Sequence, residues 1–468
     1  MTEKRKRKLA MPDTLIIVAS VVLLVAILSW IIPSGTYDYQ EMNINGRIRN
    51  VAIDGTYHTI DKSEVTTTGF LGFFSVLYRG CVEAADVIFM ILCCCGTFGV
   101  VVKTGAFHAG IGTILKKLKG KEILLVPIIM LIFGLGGSVF GMASEFYGFY
   151  PLIVGLGVAL GYDAMFGFAI IAVGEFVGFM GATLNPYSVG IAQTISGVEL
   201  YSGTGYRTIC FVIFMVISII YVMMYGRKIK KNPGASVVFG EKNIHAFDRD
   251  ELNEYSFTLK DGLVLLDVLV VLVVLMFGLI KWGWDFPQLC GLFLLMSMIA
   301  AAICKWSPNK WCSEFIESAK TAMWGCILTG IAKAITVVMQ DAQIMDTVIY
   351  GLSNVLKNAP HAVSAQVMLV VQTLINFFIP SATGQASATM PIMAQLADII
   401  GVSRQTAVLA FQFGDGLSNI FWPTADIVII CGLGGISLQK WYKWFTPLFL
   451  ILFATQAILL GIATGIGF

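Results

Sequence analysis

The run from Thr14 to Ile32, TLIIVASVVLLVAILSWII, holds no charged side chain, and similar apolar runs recur along the whole 468-residue chain. Each approaches the ~20 apolar residues that a helix needs to cross a bilayer. This limits the fold severely. In hydrocarbon every backbone N–H and C=O must find its partner within the chain, which only helices and closed barrels allow. Charged residues are 13% of the sequence and apolar ones 57%, against about 25% charged in a soluble domain. The chain therefore reads as an all-α polytopic membrane protein. Its formal charge of +2 points to no nucleic-acid partner.

The first apolar run is too long for a signal-peptide core, and no small-residue cleavage site follows. Residues 1–33 read as a retained first helix, with the basic cluster Lys4–Lys8 in the cytoplasm. The ten cysteines, Cys93-Cys94-Cys95 among them, form no C-x-x-C pair. His58, His108, His245 and His361 lack ligand spacing. The thiols read as small apolar residues, and neither a cofactor nor a transition metal is expected.

The chain also repeats itself. Pro151 in GMASEFYGFYP superposes on Pro391 in PSATGQASATMP at an offset of 240. At that offset Ser144-Glu145 fall on Gly384-Gln385, Gly161 on Gly401, and Gly174-Glu175 on Gly414-Asp415. Past a three-residue gap, Asn185-Pro186 fall on Trp422-Pro423, and Tyr206-Arg207 fall on Tyr442-Lys443 at an offset of 236. Upstream, VVKTGAFHAGIGTIL matches VVMQDAQIMDTVIYGL at an offset of 236 at its start and 237 at its end. A conserved order of matches marks two related halves, repeat 1 over 71–226 and repeat 2 over 305–468.

The lysines orient them. With the N-terminus inside, 34–70 is an extracytoplasmic loop carrying NING (Asn43–Gly46), a hairpin turn signal. A helix over roughly Arg79–Lys103 returns to Lys116, Lys117, Lys119 and Lys121. The apolar arm Ile123–Leu135 that follows would be only about 20 Å long against a ~30 Å core. The stretch 122–161 thus reads as a re-entrant hairpin entered from the cytoplasm, which needs protein or water around its tip. A broken helix over 164–198 goes out, and the chain comes back to Arg227, Lys228, Lys230 and Lys231, as the positive-inside rule requires. A cytoplasmic linker over 227–260 and two connecting helices over 261–304 follow. The helix around Ala319–Met339 then travels outward, opposite to its partner in repeat 1. The second hairpin, 362–401, accordingly enters from outside, ahead of a broken helix over 404–435. The architecture is an inverted repeat of about nine spanning helices with two re-entrant hairpins and two broken helices, as in many secondary transporters.

Pro186 and Pro423 each remove a helix hydrogen bond. Freed carbonyls can bind a cation, and a half-helix N-terminus can face a carboxylate. Ser381, Thr383, Gly384, Gln385 and Ser387 offer polar groups at the second tip. Small residues as in GSVFG and GEFVG would equally serve close helix packing. From Glu122 to Tyr206 there is no Lys or Arg, and from His361 to Gln439 only Arg404. These segments hold Glu145, Glu175, Asp415 and Asp426, although an intramembrane carboxylate costs ~2.5–3.5 kcal/mol on insertion scales. Four acids without a fixed cation suit a cationic or zwitterionic solute. Structurally, Glu175 and Asp415 could instead pair with Lys333 or Lys103, and Arg79 with Glu83 at i, i+4.

The segments MPDTLIIVASVVLLVAILSWIIPSGTYD, FGMASEFYGFYP, NFFIPSATGQASATMPIMAQLADIIGVSRQ and FQFGDGLSNIFWPTAD resemble the YfcC-type branch of the C4-dicarboxylate anaerobic carrier (DcuC-like) family, in the ion-transporter superfamily, over nearly the whole chain. The resemblance implies a bacterial inner-membrane carrier and a homodimer. Within it a hairpin-bearing domain would move like an elevator. Substrates across this group range from C4-dicarboxylates to arginine/ornithine and other amino acids. The family's usual Glu-Glu at the inner tip is Ser144-Glu145 here, and its usual Gly after PTS or PTA is Asp426.

The expected activity is secondary transport or exchange of amino acids, basic ones above all, or of small amine-bearing peptides. Glu145 and Asp426 would hold the amine or guanidinium. Ser144, Asn185, Ser188, Ser381, Thr383, Gly384, Gln385 and Asn419 would line the substrate. Coupling would run through protons at Glu175 or Asp415, or through Na⁺ near Ser144, Asn185, Ser381 and Thr424, or be absent in pure exchange. A dicarboxylate carrier is the alternative. The absence of a Walker A motif argues against ATP-driven transport. An aspartyl dyad of Asp163 and Asp415 would have to bring its carboxylates to about 3 Å, which this topology does not.

Overall fold

The computed structural model describes residues 14–44, 47–118, 122–241, 245, 257–357 and 363–468. Lys4–Lys8, the Asn45-Gly46 turn, Lys119, Lys121, His361, the first residue of the second hairpin and much of the linker lie outside them.

Helix α1 (Thr14–Ile31) leads to four short strands, β1 (Ser34–Thr36), β2 (Tyr39–Ile44), β3 (Arg47–Ala52) and β4 (His58–Ile60). They form two antiparallel pairs, β1 with β4 and β2 with β3. The second pair closes with Ile44 opposite Arg47, as the NING signal predicts. The otherwise all-helical chain thus carries a small β element in its first loop. Asp346 anchors it: the carboxylate accepts from Thr36 Oγ1, Tyr37 N and Tyr39 Oη.

Eight helices follow: α2 (Phe70–Glu83), α3 (Ala85–Lys103), α4 (Ala106–Leu118), α5 (Leu125–Leu135), α6 (Phe149–Ala159), α7 (Ala164–Gly181), α8 (Val189–Ile195) and α9 (Thr204–Lys231). Then come α10 (Leu259–Lys281) and α11 (Phe286–Ile303). A second eight ends the chain: α12 (Pro308–Lys320), α13 (Met323–Asp341), α14 (Met345–Lys357), α15 (Ser364–Phe378), α16 (Ala382–Ile399), α17 (Arg404–Ser418), α18 (Asp426–Gly434) and α19 (Leu438–Gly465). Among the described residues eight helices are long and apolar enough to cross a membrane: α1, α3, α7, α9, α10, α11, α13 and α19. The ninth expected span, over 404–435, is divided into α17 and α18, each too short alone.

The two sets match in length: 19 residues in α3 and α13, 13 in α4 and α14, 28 in α9 and α19. Their packing is reciprocal. α2 lies on α13 while α12 lies on α3, and α1 lies on α13 while α11 lies on α3. α5 and α6 pack on α7 as α15 and α16 pack on α17. Each hairpin's second arm reaches the other half's broken helix, α6 against α18 and α16 against α8.

Two expectations are corrected. The single helix over Arg79–Lys103 is in fact α2 and α3, parted at Ala84, and the one around Ala319–Met339 is α12 and α13. The dense packing of α2 on α13 accompanies the first break: a Cβ on Gly80 would lie 2.3 Å from the Gly330 carbonyl oxygen. Arg79 does not pair with Glu83; its Nη2 donates to Asp341 Oδ1 on α13 at 2.9 Å.

At the centre α7 is buried along its whole length and packs on both α5 and α17. Glycines permit this. A Cβ on Gly178 would fall 2.0 Å from the Gly134 carbonyl oxygen, whereas one on Gly291 of α11 meets nothing within 4 Å. Overpacking costs about 1–3 kcal/mol, so Gly178→Ala should lower the melting midpoint of detergent-purified protein and Gly291→Ala should not. Equal midpoints would contradict this packing.

Candidate functional site

The first hairpin turns through a π-helical stretch, Gly136–Phe140, then Gly141 at φ 68, then a 3₁₀ turn, Ser144–Phe146. Gly141 needs its left-handed backbone, and a Cβ there would sit 2.3 Å from Asn185 Oδ1. Ser144 opens the 3₁₀ turn. The buried Glu145 folds back on it, its Oε2 accepting from Ala143 N at 3.0 Å. Tyr147 and Tyr150, one turn apart, carry hydroxyls to two carboxylates. Tyr147 Oη donates to Asp426 Oδ1 at 2.7 Å and Tyr150 Oη to Glu175 Oε2 at 2.8 Å.

The first break spans 182–188. Asn185 Oδ1 accepts from Tyr187 N (2.9 Å) and Ser188 N (3.2 Å), and the buried Ser188 hydroxyl has no protein partner. The expectation that freed carbonyls here await a cation is corrected. The buried Arg207 guanidinium of α9 donates to the carbonyls of Ala182 (3.1 Å), Thr183 (3.2 Å) and Ser202 (2.8 Å).

The polar run Ile379–Pro391 is mostly not a loop. Only residues 379–381 leave the helix, and α16 begins at Ala382 with Pro391 inside it. Its hydroxyls explain the difference, because several bond within the helix or cap it. Ser381 caps Gly384 N at 3.3 Å, Ser387 Oγ donates to Thr383 O at 2.9 Å, and Thr389 Oγ1 to Gln385 O at 2.8 Å. Thr383 Oγ1 instead crosses to the first break, donating to Tyr187 O at 2.9 Å.

Asn376, at the end of α15, gathers the second cluster. Its Nδ2 lies 3.2 Å from Gln385 Oε1, 3.0 Å from Asp415 Oδ1 and 3.1 Å from Asn419 Oδ1. Gln385 is fixed in turn, its Nε2 donating to Gln372 O and Oε1. In the second break, 419–425, Trp441 Nε1 takes the Ile420 carbonyl and Tyr442 Oη the Phe421 carbonyl, each at 2.8 Å. The Thr424 hydroxyl is buried without a partner.

Five of the predicted residues fall into two groups. Glu175 and Asp426 meet on the tyrosines of the first hairpin, while Gln385, Asp415 and Asn419 meet on Asn376. The groups adjoin: Ile427 N, next to Asp426, donates to Asn419 O at 3.0 Å. Asn185 and Ser381, two of the four expected Na⁺ ligands, use their side-chain oxygens on their own turns. Glu175 and Asp415 take Tyr150 and Asn376 as partners, not Lys333 or Lys103. Asp163 caps α7 and accepts from Ser236 at 2.6 Å, apart from Asp415. Sequence reasoning missed Tyr147, Tyr150, Arg207 and Asn376. Their polar groups within apolar surroundings were the available signal.

Comparison with known proteins places the chain. The model of the family described as "C4-dicarboxylate anaerobic carrier" matches residues 11–465. The chain belongs to this family. Over 491 residues it is 32% identical to the Escherichia coli (strain K12) protein called "Putative basic amino acid antiporter YfcC", covering 97% of this chain and 96% of that one. It is 28% identical over 499 residues to an uncharacterised Haemophilus influenzae (strain KW20) protein, covering 98% and 97% of the two chains. Two solved structures align at a TM-score of 0.43 each. They are the Alcanivorax borkumensis YdaH transporter (16% identity; 98% of this chain, 99% of that) and Neisseria gonorrhoeae MtrF, described as illuminating a class of antimetabolite efflux pumps (15%; 97% and 96%). The family and its relatives are transporters, not enzymes, and this chain is a multi-span membrane transporter.

Arg207 supplies a direct test of the first break. Arg207→Met leaves the Ala182 carbonyl without its side-chain donor, at ~1–3 kcal/mol for a group left unmade, and leaves Thr183 O only the Thr204 hydroxyl. The melting midpoint of the purified protein should fall, with partial recovery in Arg207→Lys. An unchanged midpoint in Arg207→Met would show that these carbonyls have other donors.

Proposed function

We propose that this chain exchanges basic amino acids, such as arginine and ornithine, across the bacterial inner membrane. The observation that carries the reading is Asp426. It is a half-buried carboxylate at the first turn of α18, where the wider family commonly has Gly, and its side chain accepts from the Tyr147 hydroxyl. Glu175 is held one turn further along the same hairpin arm, by Tyr150. The single Lys or Arg of 361–439, Arg404, is bound to Asp398 at 2.7 Å. A guanidinium or amine entering here would meet acids, and Arg207 at the first break is already bonded to carbonyls.

In this reading Glu145 and Asp426 hold the cationic end. Ser144, Asn185, Ser188, Ser381, Thr383, Gly384, Gln385 and Asn419 supply neutral contacts, and Glu175 and Asp415 are the coupling groups. The N-terminus is cytoplasmic, the repeats are inverted, and two copies of the chain assemble. The matched helix lengths and reciprocal packing support the inverted repeat. The hairpins and broken helices would move together against α1–α4 and α10–α14, as an elevator does.

A dicarboxylate carrier is the second reading, favoured by the family's description and by the unpartnered hydroxyls of Ser188 and Thr424. Proteoliposomes loaded with unlabelled arginine separate the two. Labelled arginine should accumulate against internal arginine or ornithine but not against succinate or buffer. Truncating one partner of a buried charge pair costs 2–5 kcal/mol, so Asp426→Asn should weaken arginine binding by at least about tenfold. Succinate–succinate exchange without arginine exchange would contradict the basic-amino-acid reading.

A further inference from the structure

We infer that the β element of residues 34–60 is a clasp: anchored on α14, it holds α16, the second arm of the second hairpin, and must release it in every transport cycle. This rests on the elevator movement of the proposed function and is independent of which solute is carried.

One side of the element is built into helices that the elevator reading leaves still. Ser34 Oγ donates to Ala342 O at 2.7 Å, and Gly35 N to Gln343 O at 2.9 Å. The Asp346 carboxylate of α14 holds Thr36, Tyr37 and Tyr39. Tyr57 stacks on Tyr350 with ring centroids 4.1 Å apart, and its hydroxyl meets Thr347 Oγ1 at 2.9 Å. Beyond β4, Thr66 N donates to Asp341 O at 3.1 Å. The anchor therefore runs from the end of α13 into the middle of α14.

The other side lies on a helix that the same reading moves. β3 packs on α16. Its Ile48 and Asn50 are exposed, whereas Val51 and Ala52 are buried in the apolar core that also takes Ile392 and Leu396 of α16. The two sides are joined through backbone: β1 pairs with β4, and Ile53 N donates to Asp38 O at 2.8 Å beside the β2–β3 pair. An element fixed to α14 cannot follow α16, so β3 and α16 separate when the hairpin shifts. A contact made in one conformation only favours that conformation by its own free energy.

The first hairpin has no such partner. By their packing α11 and α12 correspond to α1 and α2, but residues 304–307 alone join them, whereas 32–69 join α1 and α2. The clasp restrains the second hairpin only.

The test uses full-length protein without its native thiols, bridged by a bis-maleimide before reconstitution. Cysteines at the exposed Asn50 and Gln395 bridge β3 to α16. This should stop arginine exchange while arginine binding to the purified protein persists. Cysteines at the exposed His58 and Gly351 bridge the element to α14, and exchange should continue. Exchange that survives the first bridge, or stops with the second, would overturn the clasp.

Tyr39 and Ala52 pair directly, so Asn-Gly in place of residues 40–51 closes a two-residue turn and keeps the anchor. One buried valine is worth roughly tenfold in an equilibrium, and exchange by this variant should rise by up to that factor. A rate at or below that of the intact chain would contradict the restraint. Hydrogen exchange reads the clasp without any solute: α16 amides should exchange faster in the shortened variant, and α6 amides as before. Unchanged α16 amides would overturn the inference whatever the protein carries. Absence of arginine exchange in unbridged protein would count against the solute assignment alone.

Discussion

Backbone polar groups freed inside a membrane must be re-bonded within the protein, and this chain frees them at two central breaks. It solves the problem twice, with different chemistry. At 182–188 the Arg207 guanidinium takes the Ala182 and Thr183 carbonyls. At 419–425 the neutral donors Trp441 and Tyr442 take those of Ile420 and Phe421. In each half the donors come from the start of the long helix that follows the break, α9 or α19. Unwound backbone is tolerated at this depth because protein surrounds it. Without these donors the half-helices α8 and α18 would have no fixed place, and neither would Ser188 and Asp426 beside them.

The two halves share a scaffold but not a charge pattern. Arg207 puts a fixed cation at the first break, facing carbonyls and bonded to no carboxylate. The acids concentrate elsewhere: Glu175 and Asp426 on the tyrosines of the first hairpin, and Asp415 on Asn376. The two halves match in helix lengths and packing, while the side chains at their breaks differ. In the proposed function Asp426 and Glu145 meet the solute, and Glu175 and Asp415 are the coupling groups.

Much of this was legible in the sequence because membrane insertion makes its constraints local. An apolar arm too short to span implies a hairpin, a proline in an apolar run implies a break, and matching offsets imply a repeat. The structure has short paired arms at 125–159 and 364–399 and helix breaks at Pro186 and Pro423. Tertiary contacts were not legible. Nothing adjacent to Arg79 shows that it reaches Asp341 instead of Glu83, or that the helix it begins is parted at Ala84. Nor does the polar run Ser381–Ser387 show that Ser381 and Ser387 bond into the first turns of α16 while Thr383 crosses to Tyr187. Asn376 sits in an apolar stretch ending in Phe-Phe, and its importance lies in three partners from 9 to 43 residues away.

The central claim is that the two hairpins are related by inversion and enter the membrane from opposite faces. Single cysteines at Leu124 and Val363, the exposed starts of the two hairpins, would test it in a background without the native thiols. A membrane-impermeant maleimide applied to sealed vesicles of known orientation reads the face of each. The account predicts labelling of Leu124→Cys only from the cytoplasmic side and of Val363→Cys only from the opposite side. Labelling of both from one face would contradict it.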